Sequence, residues 1–352
     1  MWRFEMLVLG IETTCDETAI AVVKNGKEIL SNVISSQIEL HRPFKGVFPE
    51  YASRSHVDLF LPTLELALKK AAISLTDIDL IAVASEPGLM GSILIGLNGA
   101  KALSFSLDIP YVAVNHLEAH LYGSIMSLDK EPEYPALGVV LSGGHTFMVK
   151  MLSSEKFEMI ASTVDDAIGE SFDKVAALLS LPYPGGPEIE KLALLGDSTK
   201  YPFKAGKVKD NALAFSFSGL KTQVLYAVKG QSSNKSSPSI IEESEKKHIA
   251  ASFQMTALSD VVMKAIKAAE LIGCRQIFLG GGVTSSSKLK ELFRLHVPPT
   301  ISLHFPGPNL SIDNGAMIAG LGYHKYLTHL ECDSYATSAT PSGAFSSTLC
   351  NF

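Results

Sequence analysis

The chain has 352 residues, 46% hydrophobic and 19% charged, with a formal net charge of −6. That length exceeds one minimal core and predicts two domains or lobes. The balance is ordinary for a soluble enzyme and excludes a globally basic nucleic-acid binder or a protein held to anionic membranes by its charge. Cys15, Cys274, Cys332 and Cys350 are widely spaced and form no C-x-x-C pair, as expected of reduced thiols in a cytosolic protein. The N-terminus enters the apolar run 6–11 without the pattern of a secretory signal, and no apolar run approaches the ~18 residues of a membrane span. A cytoplasmic location follows as an expectation.

Residues 7–11 predict a buried strand, 18–23 a second and 27–35 a third. Between the first two lies the turn Glu12-Thr13-Thr14-Cys15-Asp16-Glu17. Its hydroxyls and backbone N–H groups suit a phosphate or metal-phosphate lip, or an ordinary hairpin. A helix starts after Gly46 and runs to about Ala72, and Glu50, Arg54 and His56 at its start read equally as a site and as capping with ion pairing. Residues 80–84 predict a strand. The turn Glu86-Pro87-Gly88-Leu89-Met90-Gly91-Ser92 offers an anion site at the head of a helix over 92–107, where Gly96 and Gly99 allow close packing. A strand over 111–114 then delivers Asn115-His116-Leu117-Glu118-Ala119-His120. On a helix His116 and His120 share one face, and two imidazoles so placed can chelate a first-row metal ion; surface or core histidines are the alternative.

Residues 137–141, the turn Ser142-Gly143-Gly144-His145-Thr146 and residues 147–151 repeat the outline of 7–23. The echo predicts two related lobes facing a cleft. Paired glycines let backbone N–H groups come close to a phosphate. Asp165, Asp166, Glu170 and Asp173 crowd the start of a helix over 167–181, where buried acids would be costly and solvated ones would match the helix dipole. Tyr183-Pro184-Gly185-Gly186-Pro187-Glu188 breaks the chain and opens another helix. The loop 197–217 carries Lys200, Lys204, Lys207 and Lys209, the best basic candidates for a phosphate-backbone contact, and Ser218 suits the N-cap of the next helix. Residues 230–247 read as a polar surface insert. A long helix over 248–272 and a strand over 276–279 lead to Gly280-Gly281-Gly282, which enters a helix over 288–295 in a nucleotide-compatible arrangement. After a strand over 301–304, Asp313 stands at the head of a last helix ending near Leu327, and from Asp333 the chain reads as a loose tail. The expected division is 1–115 with 311–332 as one lobe, 116–310 as the other with the insert 230–247, and 333–352 as the tail.

Nine ordered motifs now stand together: Gly10-Ile11-Glu12-Thr13-Thr14-Cys15-Asp16-Glu17-Thr18, the stretch 49–56, His116-Leu117-Glu118-Ala119-His120, Ser142-Gly143-Gly144-His145-Thr146, the stretch 165–174, Pro184-Gly185-Gly186-Pro187, the stretch 215–222, Gly281-Gly282-Val283 and the stretch 313–319. Over about residues 6–325 the chain resembles the universal tRNA N6-adenosine threonylcarbamoyltransferase family in its bacterial form. The resemblance implies the two-lobed α/β architecture of actin, Hsp70 and sugar kinases, a duplicated ribonuclease H-like fold. It implies transfer of the threonylcarbamoyl group from threonylcarbamoyl-adenylate to N6 of the adenosine next to the anticodon, position 37, in tRNAs reading codons that begin with A. His116, His120 and Asp313 are then ligands of one divalent metal, Fe2+ before Zn2+. Val140, Leu141, Ser142, Gly143, Gly144, Asp173, Gly186, Glu190 and Ser286 meet the nucleotide part of the substrate. The implied partners are tRNA, a shorter actin-like paralogue and a small P-loop ATPase, with the adenylate coming from a separate synthase. Three departures stand out. Glu86 replaces a turn glycine; Ser286 replaces a substrate-contacting Asn, with Lys290 for the following Arg; and the basic, proline-containing C-terminal segment is not recognisable.

An adenylate is already activated, so positioning and carbonyl polarisation matter more than a strong protein nucleophile. A metal on three protein ligands keeps open positions and can act as a Lewis acid. Asp165, Asp166 and Glu170 are candidates to orient substrate groups or accept a proton. Three rival functions fit less well. A zinc peptidase needs His-Glu-x-x-His, whereas Glu118 follows His116 by two, roughly 200° round the helix and away from the metal face. A small-molecule kinase of the same fold has no use for the two histidines with Asp313, and a non-catalytic scaffold would be expected to lose them.

Overall fold

The computed structural model describes residues 5–44, 46–231, 238 and 240–342. The expected insert 230–247 and tail 333–352 thus lie partly outside the described residues. In chain order the first elements are β1 (Leu7–Glu12), β2 (Glu17–Lys24), β3 (Glu28–Ser36), α1 (Ile38–His41), α2 (Pro49–Ala71), β4 (Leu80–Glu86), α3 (Met90–Leu107), β5 (Tyr111–Asn115) and α4 (His116–Ile125). They are followed by β6 (Ala136–Leu141), β7 (Thr146–Met151), β8 (Phe157–Ser162), α5 (Ile168–Leu178), α6 (Gly185–Ala193), α7 (Ser218–Lys229) and α8 (Lys246–Ile272), then β9 (Gln276–Gly280), α9 (Ser287–His296), β10 (Ser302–His304) and α10 (Gly315–His329). Among the described residues, one compact unit comprises residues 5–131 and 306–342, and a second comprises residues 132–305. The boundary expected after residue 115 therefore falls after α4, whose apolar side belongs to the first unit's core through Ala119 and Tyr122.

Each unit is built on a five-stranded sheet, and the two sheets share one plan, β3-β2-β1-β4-β5 and β8-β7-β6-β9-β10. The three strands at one side pair antiparallel and the remaining pairs are parallel. Parallel neighbours need a crossover connection, which α3 supplies between β4 and β5 and α9 between β9 and β10. The echo between 7–23 and 137–151 is a repeated topology, with β6 and β7 in the places of β1 and β2.

Strand periodicity divides the first unit's core into two layers. Leu9, Ile11, Ile20 and Val22 join Phe60 and Leu64 of α2 and Ile93 and Leu97 of α3. Val8, Ala21 and Val23 join Tyr122 of α4 and Met317 and Ile318 of α10. Because both faces are covered there, β1, β4 and β5 are almost wholly apolar. One contact positions the site. A Cβ on Gly10 would lie 2.0 Å from Gly315 O and 2.6 Å from Ala319 N, and one on Gly315 would lie 2.6 Å from Ala21 N. Two glycines therefore let the head of α10 lie directly on β1. The chain just before α10 is carried to the end of β1, where Glu12 stands.

In the second unit α8 is the core helix, with Phe253, Leu258, Val261 and Val262 fully buried. The stretch Glu243–Ile272 is long and apolar enough by composition to cross a bilayer, but 67% of its apolar window is buried inside the protein. The described part of the tail is not loose. Asp333 N donates to Tyr111 O at 3.0 Å, Ala113 N to Asp333 Oδ2 at 2.8 Å, Thr340 N to Ser85 O at 3.0 Å and Gly88 N to Pro341 O at 3.1 Å. Low hydrophobicity concealed this strap, because hydrogen bonds rather than apolar burial hold most of it.

Candidate active site

Two asparagine caps set the helix heads. Asn115 Oδ1 accepts from Leu117 N at 2.9 Å and Glu118 N at 3.3 Å, which starts α4 at His116. Its amide donates to Glu86 Oε1 at 3.3 Å, so the residue that replaces the family's glycine steadies this cap. Glu86 is not among the residues with positive φ, which explains why the backbone tolerates a side chain there. Asn314 Oδ1 accepts from Met317 N at 3.0 Å and starts α10 immediately after Asp313.

These caps bring His116, His120 and Asp313 together, with one potential ligand atom from each lying within 4.8 Å of the others. Glu118 is not part of the group. His116 Nε2 is 3.6 Å and His120 Nε2 is 3.1 Å from Asp313 Oδ1, and the two imidazole centroids are 4.5 Å apart. On its other side His116 Nδ1 donates to Glu12 Oε2 at 2.8 Å, with Thr14 Oγ1 at 3.3 Å from the same nitrogen. That bond fixes the tautomer and leaves Nε2 free to bind a cation. His120 is completely buried, yet neither ring nitrogen makes a hydrogen bond among the described residues. The short His120–Asp313 approach is a contact between potential ligands, not a well-directed hydrogen bond.

The electrostatics fit a cation equally well. Glu12 and Asp16 are buried, and no lysine or arginine pairs with them or with Glu17 among the described residues. Burial, then the charges of Asp16 and Asp313, pushes the Glu17 carboxyl well up. Against the burial penalty, Glu12 and Asp313 push His116 up to about 9, while burial and the neighbouring His116 pull His120 down. Crowded acids, an imidazole aimed by a carboxylate and an unsatisfied buried imidazole match the donor set of a first-row divalent metal. Glu12 was not singled out as a partner of His116 from the sequence. Its signal was a lone acid ending an apolar strand. Glu12→Gln is expected to lower metal affinity by roughly 10–100-fold while the fold persists, measured by competition with a chelator.

Of the cluster at the start of α2, Glu50 and Arg54 are exposed and His56 is fully buried. Its Nε2 donates to Cys15 O at 3.0 Å and its Nδ1 accepts from Thr18 Oγ1 at 2.8 Å. Burial lowers its pKa, so it is a neutral buttress under the turn beside Glu12.

The second unit holds a cavity of about 250 Å³, lined by Gly143, Asp173, Gly186, Glu190 and Ser286 of the expected contacts. Val140 and Leu141 are instead buried within β6, and Ser142 and Gly144 are not among the lining residues. Gly281, at φ +90°, has no room for a Cβ, which would lie 2.5 Å from Leu141 O. The second glycine turn is thus pressed against the end of β6. Asp173 Oδ1 accepts from Gly185 N at 2.7 Å, and Glu190 Oε1 accepts from Ser286 Oγ at 3.2 Å and Lys288 N at 3.0 Å. Ser286 Oγ also accepts from Leu289 N at 3.3 Å as the N-cap of α9, so its hydroxyl is committed to the fold. Gln254, which reasoning from the sequence missed, lines the same cavity.

Asp165, Asp166 and Glu170 do not line that cavity. Asp165 accepts from Ser216 Oγ at 2.6 Å, Ser218 Oγ at 2.7 Å, Phe217 N at 2.8 Å and Ser218 N at 3.2 Å, and so caps α7 from a distance. Ser218 therefore supports the cap without being it. Asp166 sits between Lys174, at 2.6 Å, and Lys221, and the exposed Glu170 pairs with Lys174 at 2.8 Å. Burial opposes ionisation of both aspartates. The seryl and backbone donors nonetheless hold Asp165, and the two lysines Asp166, below the usual carboxylate range. These partners give Asp165 and Asp166 structural work. Asp165→Ala is expected to cost about 1–2 kcal/mol in urea unfolding. Because the folded pKa is depressed, the charge contributes above the ordinary carboxylate pKa, and the wild-type advantage should shrink as pH falls through the folded value.

Two solved structures share the fold over 92% of this chain. Component A of (R)-2-hydroxyglutaryl-CoA dehydratase from Acidaminococcus fermentans aligns over 99% of its own length with a TM-score of 0.52 and 14% identity. HypF from T. kodakarensis aligns over 48% of its length with a TM-score of 0.60 and 16% identity. With the paired sheets, they define an α/β protein of the actin-like class. The profile of the tRNA N6-adenosine threonylcarbamoyltransferase family matches residues 28–320. The protein of that name from Protochlamydia amoebophila is 53% identical over 329 residues, covering 94% of this chain and 95% of its own. Those from Chlamydia felis and Symbiobacterium thermophilum are 47% and 45% identical, each covering 92% of both chains. The chain belongs to the tRNA N6-adenosine threonylcarbamoyltransferase family, a family of transferases, and neither the kinase nor the peptidase alternative is favoured.

Proposed function

We propose that this protein transfers the threonylcarbamoyl group from threonylcarbamoyl-adenylate to N6 of adenosine 37 in tRNAs reading codons that begin with A. The observation that carries the reading is the His116–His120–Asp313 group, with its unsatisfied buried imidazole, in a chain of this family. His116, His120 and Asp313 would hold one divalent metal, Fe2+ before Zn2+. When bound, it would supply Lewis acidity toward phosphate or carbamoyl oxygens. Glu12 keeps His116 in the tautomer that binds a cation.

The second-unit cavity takes the nucleotide part. Gly143 and Gly186 leave room for phosphate, and the acceptors of Asp173 and Glu190 suit ribose hydroxyls. As the new N–C bond forms and the anhydride C–O bond breaks, N6 loses a proton, which the departing phosphate can take. No protein nucleophile is needed. Exposed Lys204, Lys207 and Lys209 are candidates for tRNA phosphates, whereas Lys200 is paired with Glu245 at 2.6 Å. A shorter actin-like paralogue and a small P-loop ATPase complete the proposed cytoplasmic system.

The test combines purified protein, those partners, threonylcarbamoyl-adenylate and unmodified tRNA, followed by mass spectrometry of the nucleosides. Formation of threonylcarbamoyladenosine is expected. Its absence, or full activity after His116→Ala with His120→Ala, overturns the reading.

A further inference from the structure

We infer that Gln254 selects the nucleobase, its amide oxygen accepting from the exocyclic amine of adenine and its NH2 donating to a ring nitrogen. The inference rests on reading the second-unit cavity as the nucleotide site. Around this point α8 is apolar, with Phe253, Ala257, Leu258 and Val261 fully buried. Gln254 is 6% exposed, and its side chain makes no hydrogen bond among the described residues. Its amide is nevertheless not sealed in. Gln254 lines both the 250 Å³ cavity and a neighbouring one of about 350 Å³, and Glu190 is the other residue that the two share.

With no protein partner, the amide is left to meet the contents of the cavity, and an apolar side chain would suit this helix face without a polar group to satisfy. A ligand that brings one donor and one acceptor satisfies both of its groups. The other polar groups suit a different part of the ligand. Asp173 and Glu190 are acceptors already anchored by backbone N–H groups, and Ser286 is held between Glu190 and α9. Phe172, Leu258 and Val283 supply apolar wall for a flat ring. Gln254 is the one carboxamide lining this cavity among the described residues. A carboxamide matches the amine and N7 on the N7 edge of adenine. On that edge hypoxanthine presents a carbonyl in place of the amine, so two acceptors would face the amide and one would go unmet.

The test measures AMP and IMP binding by calorimetry to the metal-loaded full chain. The wild type is expected to prefer AMP by roughly tenfold or more, and Gln254→Leu to bind the two within about twofold of each other. Gln254→Glu keeps the acceptor and loses the donor. It should bind AMP more weakly than the wild type and IMP more weakly still. An unchanged preference in Gln254→Leu, or an equal loss of both ligands with the preference kept, overturns the inference and leaves the cavity standing as a nucleotide site. Equal wild-type affinity for AMP and IMP also overturns it. Wild-type protein that binds neither nucleotide overturns the nucleotide reading of the cavity itself. Should Gln254→Leu not fold, Gln254→Glu decides alone: binding constants equal to the wild type overturn the inference.

Discussion

His120→Ala is expected to strip the protein of its metal and to lower threonylcarbamoyl transfer more than ~100-fold, beyond the loss typical for a residue that only supports a ligand. The effect on the metal-free protein should be different. The wild-type imidazole is buried with both nitrogens unsatisfied, so truncation removes an electrostatic penalty as it leaves a small void. These terms oppose, and the metal-free variant should unfold close to the wild-type temperature. Added Fe2+ or Zn2+ should raise the melting temperature of the wild type, because it binds the folded state preferentially, and should leave the variant unmoved. Elemental analysis gives an independent reading. Retention of stoichiometric metal by the variant would remove His120 from the ligand set.

The second large effect lies outside the ligand set. Gly10→Ala places a methyl against the backbone of Gly315 and Ala319 at the head of α10. Neither strand nor helix can yield without disturbing the two core layers, so a loss of about 1–3 kcal/mol is expected in urea unfolding. Metal affinity should fall with it, since Asp313 stands two residues before Gly315 and is carried by the same helix head. Gly219→Ala is the contrast. Nothing lies within 4 Å of a Cβ there, and the position is helical, so stability should hold or rise by up to ~1 kcal/mol. If Gly10→Ala matched Gly219→Ala, the close packing of β1 on α10 would not be what positions Asp313.

Local signals carried much of this protein. The strands announced themselves because both sheet faces are covered, and the repeat was visible because β1–β2 and β6–β7 each surround a polar turn. His116 and His120 were legible as a pair because four residues of helix set their geometry. That Asp313 completes the group became an expectation only through family resemblance. Its placement depends on two distant glycines whose mutual contact no local pattern encodes. The same reason hid the Glu12–His116 bond and the capping of α7 by Asp165. Ser218 looked like the cap because serine favours that position, yet the backbone N–H groups there bond to a carboxylate from before α5. Gln254 was lost for another reason: in the sequence it is one amide in an apolar helix, and only the cavity distinguishes it from a surface position.

The strap beyond α10 bears on behaviour in concentrated solution. β5 is the outermost strand of the first sheet, short and completely buried, and its outer backbone groups could template pairing with another molecule. They are occupied instead. Tyr111 O takes the Asp333 N–H, Ala113 N is held by the Asp333 carboxylate, and Ala113 O accepts from Lys325 Nζ at 2.7 Å. Resistance of this unit to intermolecular β-pairing, and so to aggregation during folding, therefore rests partly on a polar segment that contributes none of the candidate ligands.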